Sequence, residues 1–329
     1  MYSPLGTGIL KNGEEAELGV VLAPDAEQGP LIMDFLRHKG GLWSWHLEQA
    51  LGPQGTPGLA CRFYLLRHGR DAFSHIMTVE AGHTAILGHV FTPKKHRRKG
   101  AAALLMARVV QDYALREPRG FIGLSTDFDG PPYHLYLKSG FRGVEPGSGD
   151  MERVPDPDAL ETRFSPGAWE LVDPAWEHWP QLEALNFRPG GPALRSYAYK
   201  LRGRKAWEWP FLDLYKGFLA GDHRCRIAVK RDNRAVVGYG FVTPDPSLGR
   251  GNTLLDIFCH PGFEFAEKEL LESLRAPAGS TARSYVSSDA PHRAALLKAE
   301  GWRMEGTLSK ALAMDGAIHD VWILASDSR

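Results

Sequence analysis

Along the first 140 residues the apolar positions change period in a regular order. Residues 17–22, 62–67, 72–79 and 84–91 carry short apolar or alternating runs of strand type, with Gly69 and Gly82 marking turns. Residues 28–39 and 42–51 repeat at helical spacing instead and are separated by Gly40-Gly41. Residues 100–115 form the most regular helical stretch. Leu104, Leu105, Ala107, Val109, Tyr113 and Leu115 crowd one side of it, and Pro118-Arg119-Gly120 follows its end. A short apolar strand at 121–125 comes next, then a helix at 131–138 opened by prolines and closed by Gly140, then a strand from Phe141.

Residues 146–166 are rich in Pro, Gly, Asp and Glu, which predicts a long hairpin loop followed by a linker. Beyond them the order of elements returns. Strand 169–172 and helix 176–185 lead into strands 226–230 and 235–242, which flank a turn at Asp232-Asn233. Strand 254–259, helix 267–274, strand 283–286, helix 291–300 and strands 303–308 and 321–325 close the series. The match is one of order and period. Leu296-Leu297-Lys298-Ala299-Glu300-Gly301-Trp302 stands where the first half has Leu135-Tyr136-Leu137-Lys138-Ser139-Gly140-Phe141. Such a repeat predicts two like domains, 1–160 and 166–329.

Composition narrows the field. The 329 residues are 43% hydrophobic and 24% charged, with a formal net charge of zero, as expected of an ordinary globular protein. A neutral chain argues against a surface given over to nucleic acid or anionic membrane. Cys61, Cys225 and Cys259 are far apart and have neither zinc nor redox spacing, so buried reduced thiols are expected and no metal. No apolar run approaches the roughly 20 residues of a membrane helix, and residues 1–17 lack a basic-then-apolar leader, so a cytoplasmic protein is expected.

Candidate chemistry begins at Arg97-Arg98-Lys99-Gly100-Ala101-Ala102, between the strand at 84–91 and the long helix. Residues 94–99 hold five Lys or Arg around His96. A solvated turn and a nucleic-acid patch are both open readings, but no aromatic residue is interleaved. A turn so placed, with small residues at the helix start, favours a phosphate cradle. There, free backbone N–H groups and the helix dipole attract an anion. A second group is Asp129, Pro132, Leu135, Tyr136, Gly140 and Phe141.

Taken together, Arg-x-x-Gly-x-Ala at 97–102 and Leu-Tyr followed by Gly-Phe at 135–141 resemble the GCN5-related N-acetyltransferase superfamily over residues 17–141. Asp129 replaces the family's Asn and Pro132 its Ala. The resemblance implies an α/β chain of mixed (α+β) sheets, two tandem acyl-CoA N-acyltransferase-like domains, the first splayed between its fourth and fifth strands around acetyl-CoA. It implies that the backbone of Arg97, Arg98, Lys99, Gly100, Ala101 and Ala102 holds the pyrophosphate and that Val90 and Phe91 pair with the pantetheine arm, with Asp129 nearby. It also implies that Tyr136, a phenol protonated at neutral pH, is the general acid; packing under its helix is the other reading.

The general base is open. The family often uses a Glu where this chain has Ile86, and His83, His89 and Asp127 are the candidates in the region. Alternation puts His89 on the sheet face opposite Ile86. Trp43, Trp45 and His46 are candidate substrate-wall residues, as is the cluster Trp207-Glu208-Trp209-Pro210-Phe211, with domain packing as the competing role. In the second half His260-Pro261-Gly262-Phe263-Glu264-Phe265 and Leu297 stand where the loop and the Tyr are expected, which predicts a degenerate domain kept for shape: to complete the acceptor cleft, to hold the first domain's sheet edge, or to dimerise. The expectation is an N-acetyltransferase acting on a primary amine of a small molecule or peptide. A non-catalytic acyl-CoA sensor or assembly protein on the same fold is the alternative.

Overall fold

A computed structural model describes every residue except Met1, Arg70, Arg250, Asp315, Ser328 and Arg329. Its contacts divide the chain into two compact units, Met1–Leu160 with Ala175–Ala184, and Glu161–Pro174 with Leu185–Arg329. Among the described residues no helix is long and apolar enough to cross a membrane.

In the first unit β1 (Tyr2–Ile9) and β2 (Glu15–Leu22) lead to α1 (Gly29–Phe35) and α2 (Leu42–Leu51). Three strands follow, β3 (Ala60–His68), β4 (Asp71–Ala81) and β5 (Thr84–Phe91), then α3 (Ala101–Arg116). The series β6 (Phe121–Ser125), α4 (Pro131–Lys138), β7 (Arg142–Gly143) and β8 (Asp150–Arg153) completes it, and α5 (Pro157–Arg163) follows. The sheet order is β1-β2-β3-β4-β5-β6-β8-β7, antiparallel except for the parallel pair β5/β6.

Helix α3 lies on one sheet face because Leu105, Val109 and Tyr113, four residues apart, and Met106 beside them are all buried in one apolar cluster. Each such side chain contributes on the order of 1.5–3 kcal/mol by leaving water. A polar network fixes the far end of this helix. Arg116 donates to Glu80 at 3.0 Å and to Asp112 at 3.2 Å, and the Tyr64 hydroxyl donates to Asp112 at 2.6 Å. The helix is thus clamped at its C-terminus, and its N-terminus faces the basic turn.

Helix α6 (His178–Asn186) belongs to the first unit through Ala184; in the second unit β9 (Trp169–Val172) comes before a hairpin, β10 (Leu194–Ser196) with β11 (Leu201–Arg202). Then come α7 (Glu208–Ala220), β12 (Arg224–Lys230), β13 (Val236–Pro244), β14 (Asn252–Cys259), α8 (Glu267–Ser273), β15 (Thr281–Ser287), α9 (Pro291–Ala299), β16 (Arg303–Met314) and β17 (Ala317–Asp327). Its sheet runs β9-β12-β13-β14-β15-β17-β16. With β1 set aside, the first sheet has the same order, and each has one parallel pair at the same place, β5/β6 and β14/β15. The protein is therefore an α+β chain with two mixed sheets of like topology.

Each parallel pair is short. β14 pairs β15 only at Asn252↔Thr281, Thr253↔Ala282 and Leu254↔Arg283, and the strands then part. Strand β10 bridges them beyond that point. The Ser196 hydroxyl and the Ala198 N–H donate to Asp256 of β14 at 2.6 and 2.9 Å, and the Leu194 N–H donates to the Ser287 hydroxyl of β15 at 3.2 Å. Asp256 is buried, which raises its pKa, with the hydrogen bonds acting against the shift.

Several elements differ from the sequence expectation. The stretch at 146–166 is not all loop: Met151 and Glu152 pair with β6, and Asp156 caps α5 by accepting the Ala159 N–H at 2.9 Å. Strand β1 and the β10/β11 hairpin were not foreseen, because each is short, rich in turn residues or exposed along most of its length. Trp207, fully buried, is core of the second unit, 4.7 Å from Tyr239. The three cysteines are buried free thiols.

Asp256→Ala leaves the Ser196 hydroxyl and the Ala198 N–H without an acceptor in a buried place. It is expected to destabilise the second unit by roughly 2–4 kcal/mol. Urea unfolding of the full chain checks this, and an unchanged midpoint contradicts the bridging role.

Candidate active site

In the first unit β5 pairs β6 at Thr84↔Phe121, Ala85↔Ile122 and Ile86↔Gly123, and no further. Beyond Ile86 the strands separate and β5 runs on through Phe91 beside β4 alone. A bulge interrupts this edge: His75 faces Phe91 and Met77 faces Gly88, so β5 holds one extra residue. His89 sits in the bulge with φ +52°, a left-handed conformation uncommon outside glycine. The buried His75 ring pins it, with Nδ1 2.9 Å from the His89 carbonyl oxygen. A carbonyl only accepts, so His75 carries its proton on Nδ1.

The bulge resets the alternation. Ala85 and Leu87 belong to the apolar cluster under α3, and Val90 packs against the same cluster. His89 consequently turns to the other face, that of Ile86, where its ring meets Trp43 edge-on at 5.0 Å. This corrects the expectation that His89 and Ile86 lie on opposite faces. The sequence shows only an uninterrupted apolar run there, and one inserted residue inverts every later side chain.

The basic turn has the form a cradle needs. After a 3-10 turn at Lys94–His96, Arg98 has φ +66° and Gly100, the residue before α3, has φ +85°. The positive φ favours glycine there, and a Cβ would stand only 3.1 Å from Lys11 Cγ, so that side chain would have to shift. No side chain caps α3, and its first turn has no acidic residue. Among the described residues none of the six amide N–H groups at 98–103 meets an acceptor. Alternating backbone of this kind makes a concave anion site. Lys94, Lys95, Arg97 and Arg98 are exposed around it, Arg97 Nε donates to the Thr92 carbonyl at 2.8 Å, and Lys99 pairs with Glu14 at 3.1 Å.

The other predicted residues are spread unevenly. Val90 and Phe91 follow the bulge, with Phe91 against His38 at 4.1 Å and Phe35 at 5.4 Å. Asp127 and Asp129 lie exposed in the loop after β6, at the same end as the bulge, and Asp129 meets His134 Nε2 at 3.1 Å. Tyr136 is buried in the cluster that Val90 joins, its ring 5.9 Å from Phe141. His83 is not brought in: it occupies the turn before β5, pairs with Glu117, and is separated from the bulge by the length of the strand. Trp43 reaches the site through His89. Trp45 packs on Trp176 at 5.3 Å. His46 is wholly buried, its Nε2 3.8 Å from the Cys61 sulfur and its ring 4.8 Å from Trp179.

Sequence reasoning passed over His38, His75 and Glu183. Glu183 of α6 is fully buried, and its Cγ lies 2.7 Å from where a Cβ at Gly123 would be. Gly123 pairs with Ile86, so a carboxylate reaches the face where β5 offers none. Its signal in the sequence was a glycine inside a short strand, which marks close approach of another group.

No protein-family model and no curated protein sequence matches this chain. Solved structures are similar in fold. A phosphinothricin acetyltransferase of Sinorhizobium meliloti in complex with acetyl-CoA is 16% identical over 48% of this chain and 87% of its own, with a TM-score of 0.39. The putative acetyltransferase yncA of Salmonella typhimurium, with its cofactor acetyl-CoA, is 11% identical over 50% and 95%, with a TM-score of 0.38. The ribosomal-protein-S5-alanine acetyltransferase of Vibrio fischeri is 13% identical over 50% and 96%, with a TM-score of 0.37. Each of these similarities spans about half of the chain.

Burial lowers the pKa of His46 to about 3 and of His75 to about 4, and it lowers that of His89 well below 6.5, with nearby Lys39 and histidines adding to the last two shifts. Their folded-state pKa values lie below the unfolded value, so the unfolded chain binds more protons in between. Stability is expected to be full above pH 6.5 and to fall as pH drops from there toward 4, by about 2 kcal/mol or more for each of His46 and His75. Thermal unfolding against pH tests this: His75→Gln should flatten the acid side, and an identical slope contradicts it.

Proposed function

We propose that the first unit is an N-acetyltransferase that moves an acetyl group from acetyl-CoA to a primary amine of a small molecule or peptide. The observation that carries this reading is the row of six unpartnered N–H groups at 98–103, ringed by cations and set beside the edge of β5 that β6 has left. These groups, with Arg97, Arg98 and Lys99, fit a diphosphate, and the bare backbone at Gly100 lets it approach. The main chain of Val90 and Phe91 holds the pantetheine arm, and an N–H at the bulge polarises the thioester carbonyl.

The amine nitrogen attacks the carbonyl carbon; a C–N bond forms and the C–S bond breaks. The amine proton passes to His89, which burial keeps as the uncharged imidazole that can accept it. The departing thiolate takes a proton from Tyr136. A non-catalytic acyl-CoA-binding protein is the second reading, favoured by the lack of any carboxylate between Thr84 and Phe91. Coenzyme A release with a panel of amines separates the two, since a sensor releases none.

Tyr136→Phe is expected to lower kcat by about 10- to 100-fold with acetyl-CoA affinity kept, and equal turnover removes its acid role. In calorimetry Gly100→Glu is expected to abolish acetyl-CoA binding. Arg98→Glu, at an exposed side chain, should weaken it without disturbing the fold, and unchanged affinity in both removes the cradle. His89→Gln should lower kcat with KM for acetyl-CoA unchanged. A full rate in that variant together with a lost rate in Glu183→Gln transfers the proton-accepting role to the carboxylate.

A further inference from the structure

The second unit has a cavity of its own, of about 350 Å³, beside the β10/β11 hairpin. Its volume lies within the range of small-molecule sites. Leu194, Leu254, Leu312 and Val321 make an apolar floor, and Tyr197, stacked on Tyr285 at 3.5 Å, forms one wall. Against this floor stand three charged side chains. Asp245 is 5% exposed and lines the cavity. Its Oδ1 accepts the Ser247 N–H at 2.8 Å, and among the described residues Oδ2 has no partner. A carboxylate this buried is costly unless a cation or a donor meets it, and Asp245 is part of the cavity wall. Lys200 and Arg202 line the same space, both exposed, and neither side chain joins an ion pair among the described residues.

We infer that this cavity binds a small zwitterion with an apolar side chain, an α-amino acid or dipeptide. Its ammonium group meets Asp245, its carboxylate meets Arg202 and Lys200, and its side chain lies on the leucine floor. The charges explain the choice of ligand. A purely apolar guest leaves Asp245 buried without a counter-charge. A simple anion leaves it facing a like charge, and a simple cation makes no use of Arg202. The hairpin that closes the opening between β14 and β15 supplies Leu194, Tyr197, Lys200 and Arg202, so the segment that bridges this opening also builds the site.

Calorimetry of the full chain with L-tryptophan, L-leucyl-L-leucine, tryptamine and N-acetyl-L-tryptophan, in the absence of acetyl-CoA, tests this independently of any acetyl transfer. The two zwitterions are expected to bind saturably, one per chain, and the two single-charge analogues roughly tenfold more weakly. Asp245→Asn, which keeps an acceptor for the Ser247 N–H, should weaken tryptophan and tryptamine about tenfold and leave N-acetyl-L-tryptophan unchanged. Arg202→Ala, at an exposed side chain, should weaken tryptophan and N-acetyl-L-tryptophan and leave tryptamine unchanged. No saturable binding of either zwitterion, equal affinity for zwitterions and analogues, or wild-type affinity in both variants overturns the assignment.

Discussion

Two parallel strands that pair for three residues and then part are the constraint on which each half of this protein depends. Parallel ladders need a crossover, and here the crossover is the helix after the turn, α3 in the first unit and the segment Pro261–Ala266 with α8 in the second. Where the ladder ends, backbone N–H and C=O groups on both strands lose their partners, and buried groups of that kind must be met by something. In the first unit the parting leaves β5 alone with β4, and a bulge at His89 turns that edge further from regular pairing. In the second unit the opening is spanned instead by β10, which is tied to the Asp256 carboxylate of β14 and the Ser287 hydroxyl of β15.

The contrast extends to charge. The turn after β5 gathers exposed cations around free N–H groups and leaves the first turn of α3 without acids. The corresponding segment after β14, Pro261–Ala266, is a 3-10 helix whose Phe263 is fully buried, and Glu264, Glu267 and Glu269 lie in the first turns here, where α3 has no acidic residue. Glu267 is itself committed to Arg293. The first opening gathers free donors and cations, as the proposed cofactor needs, while the second has no such cluster and is bridged by β10. One scaffold thus offers two different surfaces, and the cavity beside the β10/β11 hairpin follows from the bridging segment rather than from the sheet.

Much of the architecture was legible because it depends on period. The strand runs of the first half, the Leu105, Val109 and Tyr113 part of the α3 stripe (Ala107 and Leu115 are exposed) and the return of the same order after residue 166 are local patterns, and hydrophobic burial enforces them. What was hidden depends on single residues or on distance in sequence. The bulge at His89 inverts side-chain direction without altering the apolar run. The approach of Glu183 to Gly123 joins residues 60 positions apart in sequence. His46 stands among aromatic residues that suggest a wall, but its ring is taken by Cys61, Trp176 and Trp179. Strand β10 has only three residues, and its role comes from Asp256 and Ser287, far along the chain.

On the proposed function, the difference between an open, cation-ringed parting and a bridged one limits coenzyme A to a single site per chain. Equilibrium titration of the full chain with coenzyme A, read as stoichiometry, addresses this directly. One equivalent per chain is the predicted result; two equivalents, or no binding at all, contradicts it.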